Sequence, residues 1–427
     1  MTAFDGIRGI GIFGVMIGHS FPVDTLSFAA IVDIFFVISG FLITTLLLQE
    51  HRSHGQISLR KFYARRSLRL MPLLYVFLVL GGIAALIAKA IGLLEAPYFL
   101  SELAKETVAS AFYVHNIVYP LLGGAWYGHL WTLSVEEQFY LVIGVVMMVV
   151  LVRGGIKGIT WALLAGIAAI QLSRGFGITG PFPELSFAIW LQRPDSLMIG
   201  VLGGIANAHL ADPLSERTKR LLRIGGWVGV VGVFVAVWGS TSLTRNLLGW
   251  NVPFYPGDTN FVPHGTDTSV VVRDLIQESG WRLHFDRIYW MQWGFTLANW
   301  SFLVITLAAF RLKPGEWFPH RIMSIKPLVV IGGLLSYGLY IWHYPVQHYL
   351  RMVVGTEETG RIGDHYRTTL NPVLQVVLDC ALPFLFAVPT YFLVERKALA
   401  LKDRFQVDKK APPAEEVTQP TESRAAS

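Results

Sequence analysis

Apolar residues run along the chain in ten long stretches, at about 7–23, 30–49, 70–91, 134–152, 159–173, 195–211, 222–239, 292–310, 327–349 and 372–394. None shows the two-residue alternation of a half-buried strand, so each predicts a helix that is apolar nearly all round. Most reach the roughly 20 residues that a bilayer crossing needs, while the fifth and sixth are short and interrupted by glycine. The pattern predicts an all-α fold, a polytopic membrane helical bundle of about ten transmembrane helices. Residues 1–400 would form that membrane domain, with 240–291 as an extracytoplasmic loop rich in Pro, Gly, Asn and Asp. Residues 92–133, with Tyr113, Trp126, Tyr127 and Trp131, would lie along the interface or fold back into the protein. Residues 401–427, with KKAPPAEE and TQPTESRAAS, read as a disordered cytoplasmic tail.

Charge fixes the orientation. The connections 51–69, 153–157, 211–223, 311–326 and 396–427 together hold 23 Lys and Arg, against 10 in the alternate set. The positive-inside bias therefore puts both termini in the cytoplasm, which an even number of spans also requires. Only 15% of the 427 residues are charged and 53% are hydrophobic, far from the composition of a soluble domain. The net charge of +6 sits in short loops, which is a membrane pattern and not a nucleic-acid footprint. A single cysteine, Cys380, excludes a disulfide framework and a cysteine zinc site within the chain. No basic region and cleavage site opens the sequence, so its first apolar run reads as a retained helix.

Five stretches place chemistry inside these apolar runs. In FDGIRGIGIFGVMIGHS, Arg8 and His19 are eleven residues apart. Three helical turns put both on one face, roughly 16 Å apart, with the arginine near one end and the histidine well inside the span. Ionisable groups at such depth face a protein interior or a wet cavity, and histidine is suited to take a proton from a hydroxyl. In RKFYARRSLRLMP, Arg65, Arg66 and Arg69 share a helical face at the cytoplasmic edge. That is denser than anchoring needs and fits a phosphate-bearing cytosolic ligand. In GHLWTLSVEEQFYLV, Glu136, Glu137 and Gln138 open a span, and the 100° step between the glutamates turns at least one of them inward. LSYGLYIWHYPV carries His343 within the ninth run, two residues before Pro345. In LQRPDSLMIGVLGG, Arg193 and Asp195 could pair with each other or with the glutamates.

Taken in order, FDGIRGIGIFGVMIGHS, DIFFVISGFLIT, FYARRSLRLMP, LWTLSVEEQFYL, RPDSLMIG and SYGLYIWHYP resemble the acyltransferase-3 family of integral-membrane acyltransferases. The family's paired Arg and His fall on Arg8 and His19, and its Phe-Phe-x-x-Ser-Gly-Phe element on Phe35, Phe36, Ser39, Gly40 and Phe41. Its arginine element falls on Arg65, Arg66 and Arg69, its tryptophan-to-glutamate element on Trp131, Ser134, Glu136 and Gln138, and its late His-x-Pro on His343 and Pro345. The segment after residue 240 is longer and more polar than the family pattern, and the hydrolase-like domain some relatives carry is not part of the resemblance.

The resemblance implies a multi-pass O-acyltransferase of the bacterial cytoplasmic membrane, taking an acyl group, acetyl first of all, from cytosolic acyl-CoA. The acceptor would be a hydroxyl of a glycan, glycolipid or small molecule of the cell envelope, and no metal is called for. His19, Glu136 and Arg8 would be catalytic, with His19 the general base or an acyl carrier and Glu136 its orienting partner. Arg65, Arg66, Arg69 and Ser39 would hold the donor, and Trp131, Gln138, His343, Arg193 and Asp195 would line the substrate site. The competing reading from the residues alone is a multi-span transporter, since buried charges and Gly-broken spans also suit a solute pathway.

Overall fold

The computed structural model describes residues 2–20, 30–92, 99–118, 127–177, 193–238, 293–354 and 371–405. The predicted loop 240–291, Trp126 and most of the tail lie outside the described residues. The described residues are helical, with turns between, and contain no strand.

The helices are α1 (Thr2–Ser20), α2 (Asp33–His54), α3 (Leu59–Ala90), α4 (Phe99–Ala111), α5 (His115–Val118), α6 (Trp131–Val152), α7 (Ile156–Gly177) and α8 (Pro194–His209). They continue with α9 (Glu216–Trp238), α10 (Phe295–Arg311), α11 (Phe318–Met323), α12 (Lys326–Val330) and α13 (Ser336–Val354), the last two joined through a π-helical turn at Ile331–Leu335. α14 (Pro372–Ala381), α15 (Phe384–Thr390) and α16 (Arg396–Lys402) complete the set.

Local chemistry sets the ends. Gly55 closes α2 at φ 72°, where its N–H returns to the His51 carbonyl at 2.8 Å. Ser58 then caps α3, its hydroxyl accepting from the Lys61 N–H while its own N–H goes to Glu50. Pro194 and Pro372 occupy first turns, where a missing N–H costs nothing.

Each of the ten apolar runs is helical over most of its described residues. Six described helices are long and apolar enough to cross a membrane: Ala30–His54, Leu59–Ala90, Gly128–Val152, Ile156–Phe176, Glu216–Val237 and Val373–Leu401. The α2 window is 72% buried inside the protein, against 17–39% for the other five, so α2 is the axis and the others form the shell. Val79, Ile83 and Ile87 on α3, Leu141 and Val142 on α6, and Val228, Val231 and Phe234 on α9 are exposed. Apolar side chains turned outward from several helices suit lipid and not water.

α2 and α8 pack backbone to backbone along their length. A Cβ on Gly200 would lie 2.3 Å from the Val37 carbonyl oxygen, and one on Gly40 2.3 Å from that of Leu197. The two run side by side in the same direction, because 33 meets 193, 40 meets 200 and 44 meets 204. Small residues at such crossings let backbones touch where the surrounding solvent gives helices no hydrophobic reason to associate. Gly6 and Gly9 of α1 press in the same way on the backbones of Met323 and Leu328.

Gly200→Val is therefore expected to lower the thermal unfolding midpoint in detergent or to abolish folded yield. Gly158→Ala, where a Cβ meets nothing within 4 Å, should leave the midpoint unchanged or slightly raised. Equal behaviour of the two variants would contradict this packing.

Candidate active site

One end of the interior is a cationic cluster. Arg8 lies 3.9 Å from Asp5, one helical turn away, and within electrostatic reach of Arg69, Tyr140 and Glu136. Arg69 in turn is near Arg66, Tyr140 and Glu136. The Arg66 guanidinium stacks over the Tyr140 ring at 5.0 Å. Glu136 accepts hydrogen bonds from the hydroxyls of Ser39 on α2 and Tyr140 one turn further along α6. Ser39, a predicted donor ligand, is thus a partner of the catalytic carboxylate candidate. Glu137 is buried, as the 100° step required of one glutamate, and its Oε1 has no hydrogen-bond partner.

The three arginines predicted to share one face are divided. Arg65 turns to Glu50 at 3.2 Å and donates to the Phe405 carbonyl, so it fastens α3 to the α2 end and to the last described turn of the chain. Arg66 and Arg69 remain with the cluster. The separation has a simple cause: 65 and 69 are stacked one turn apart, and a carboxylate at the α2 terminus captures the lower one.

The opposite end holds imidazoles. His19 is in the last turn of α1 and is exposed, not deep in the span as the sequence suggested. The apolar run was drawn from residue 7, but the helix begins at Thr2, and five extra residues carry His19 to the far end. Its ring centroid is 5.2 Å from that of His343 and 5.4 Å from that of Tyr344. His343 is fully buried, and 5.4 Å beyond it lies His129, from the turn Gly128–Leu130 that leads into α6. His129 stacks on Tyr344.

Glu136 was expected to orient His19. Its described partners are instead Ser39 and Tyr140, and the neighbours of His19 are His343 and Tyr344. Tyr340 links the two ends. Its hydroxyl donates to the His129 carbonyl at 2.6 Å and pairs with Thr132, and its ring is within electrostatic reach of Glu136 and Arg193.

Four predicted substrate residues have structural partners. Arg193 does not pair with Asp195 or the glutamates: it meets Asp33 at 3.0 Å, with its guanidinium between the rings of Trp131 and Phe295 at 4.7 and 4.8 Å. It also adopts φ 44°, a conformation rare for a residue with a Cβ. Asp195 takes both arms of the Arg174 guanidinium, at 3.0 and 2.8 Å, and accepts from Gln171. Both members of that pair have no exposed side-chain surface. Gln138 exchanges amide hydrogen bonds with Asn116 and donates to the Tyr113 carbonyl, which ties the α4–α5 segment to α6. Trp131 is the platform under Arg193 and also meets the edge of Phe36.

The sequence reading missed His129, Tyr140 and Tyr340. Tyr140 sits one turn after Glu136, a spacing that puts both on one face, and could have been found that way. His129 stands within a quoted motif but is brought to His343 only by the fold. Among the described residues no group of three or more His, Cys, Asp or Glu is arranged to hold a metal ion.

A family model described as an acyltransferase domain matches residues 1–392. The chain belongs to the acyltransferase-3 family. It is 27% identical over 410 residues to a Staphylococcus aureus (strain MSSA476) protein provisionally named an O-acetyltransferase, covering 92% of this chain and 56% of that one. It is 26% identical over 412 residues to the O-acetyltransferase OatA of S. aureus strain NCTC 8325, with the same coverage. The chain thus spans little more than half the length of the curated relatives it matches. No solved structure matches it. Family and apolar helices together make this a multi-pass membrane protein.

Arg174→Met should cost about 3–5 kcal/mol, because it strands the buried Asp195 charge. The double replacement Arg174→Met with Asp195→Leu should recover most of that loss. Thermal unfolding of the three proteins checks this, and a single variant as stable as the parent would contradict it.

Proposed function

We propose that this family member is an O-acyltransferase that takes an acyl group from acyl-CoA on the cytoplasmic side and gives it to a hydroxyl presented at the other side. The observation that carries the reading is the placement of Arg8, in the second turn of α1, and His19, in its last turn, in two different polar clusters along one helix. They are separated by about 16 Å of helix axis. Arg8 joins the Arg66–Arg69 cluster and His19 joins the imidazoles.

Arg66 and Arg69 supply the guanidinium groups that a polyanionic donor needs, beside rings that can flank an adenine or a pantetheine arm. Glu136 keeps Ser39 and Tyr140 in place and balances Arg8 and Arg69. His19 takes the proton of the acceptor hydroxyl as that oxygen bonds to the thioester carbonyl carbon. The carbon–sulfur bond then breaks, the acyl group stays on the acceptor oxygen, and the proton passes from His19 to the leaving thiolate. Exposure of His19 suits an acceptor that arrives from outside the bundle. Acetyl as the acyl group follows the names of the relatives, and an envelope carbohydrate is the acceptor class that the family resemblance implies.

About ten spans with both termini in the cytoplasm fit the same reading. α2 and α8, the second and sixth runs, must then cross in the same direction, as their paired positions do. Two of the ten basic residues counted outside, Arg174 and Arg193, are buried in ion pairs, which sharpens the charge asymmetry.

Purified protein in proteoliposomes should release free thiol from acetyl-CoA when a hydroxyl acceptor is present. His19→Ala is expected to lower that rate at least 10²-fold with folding intact. Arg66→Ala should raise the KM for donor about tenfold with a smaller effect on kcat. Solute uptake without thiol release would favour a transporter, and a fully active His19→Ala would remove the imidazole from the mechanism.

A further inference from the structure

His343 and His129 are buried imidazoles whose hydrogen-bonding nitrogens are divided by the backbone. The Nδ1 of His343 is 2.6 Å from the Tyr340 carbonyl oxygen, and the Nε2 of His129 is 3.0 Å from that of Ile341. A carbonyl can only accept, so each of these nitrogens carries the proton and the other ring nitrogen is the lone-pair acceptor. Those other nitrogens, His343 Nε2 and His129 Nδ1, are buried and have no hydrogen-bond partner among the described residues. Leaving a buried polar atom unmet costs about 1–3 kcal/mol, so a pair of them beside an exposed imidazole asks for a use.

We propose, resting on the reading above, that His343 is a positioning residue for His19: its Nε2 accepts a hydrogen bond from the His19 ring. A centroid separation of 5.2 Å lets two imidazole nitrogens meet at about 3 Å. The bond fixes His19 in the tautomer whose proton faces His343, which leaves the other nitrogen of His19 bare toward the acceptor hydroxyl. When His19 takes the hydroxyl proton, its charged ring still donates to His343, and His343 keeps its own proton on Nδ1 throughout. His343 thus holds the place that a carboxylate holds beside histidine in hydrolytic triads, but it adds no charge to an interior that could not solvate one. His129 braces the arrangement, since its ring and its carbonyl are both bonded to α13. Among the described residues, Tyr340 and Tyr344 of α13 are the other titratable groups set against the pair, and His115 of α5 lies within electrostatic reach of His129.

Two amide replacements separate this role from simple packing. Asparagine at 343 can reproduce the Nδ1 donor but offers nothing at Nε2. Glutamine places an acceptor near the Nε2 position. Thiol release by His343→Asn in proteoliposomes should fall about 10²-fold in kcat with the donor KM unchanged, and His343→Gln should recover at least tenfold of that loss. In 15N-histidine spectra of the full chain, the His19 ring should show one neutral tautomer in the parent and a mixture in His343→Asn. Equal loss in both amide variants, or a single His19 tautomer in His343→Asn, would overturn the proposal. If the parent releases no thiol with any donor, the enzyme reading fails, while the tautomer spectra still decide the His19–His343 bond.

Discussion

Charges inside this bundle have little water to fall back on, and four of them meet an opposite charge where the helices close. Asp33, Arg174, Arg193 and Asp195 do so in two buried ion pairs, one between α2 and the start of α8, the other between α7 and α8. Desolvating two ions absorbs much of what their attraction returns, so such pairs are poor glue. They are strong constraints on register. A shift of α8 by one residue would misplace Arg193 from Asp33 and lift Gly200 off Gly40 together. The glycine contact and the ion pair therefore specify one alignment between them, and α2 becomes the fixed axis on which the rest is hung.

That axis positions the chemistry. Ser39, one residue before the Gly40 crossing, projects to Glu136 on α6, and Glu136 meets Tyr140 on its own helix. The base of α1 is clamped by its own glycines against α11 and α12, which sets Arg8 at the level of this cluster. The same helix, by length alone, delivers His19 to the far end. Two polar layers result, joined through Tyr340 and separated by the cores around Ile12, Met16, Phe77 and Leu339.

Much of this was legible from the residues. The described parts of the runs are helices, the form in which a single segment satisfies its own backbone, and continuous apolarity needs no tertiary context to be read. The one-face relation of Arg8 and His19 followed from helical spacing. Depth did not, because the first helix starts before its apolar run does, and Asp5 and Arg8 hide that start. Partner choice was illegible for a different reason. Arg193 and Asp195 are two residues apart and look like a pair, but that step turns them about 200° apart at the start of α8 and so toward different helices, and Asp33 and Arg174 lie far away in sequence. Arg65 was likewise indistinguishable from Arg66 and Arg69 until the end of α2 came beside it. His129 carries no periodic signal at all, and only the fold of the turn before α6 brings it to α13.

The turn before α6 and the helix α13 hold each other reciprocally: the Tyr340 hydroxyl rests on the carbonyl of His129, and the ring of His129 rests on the carbonyl of Ile341. A single bond would act as a pivot, but two crossed bonds act as a clasp. Neither segment can slide along its axis or roll without breaking both at once, so the floor beneath His343 is rigid. The buried imidazoles of both segments thereby share one stationary frame.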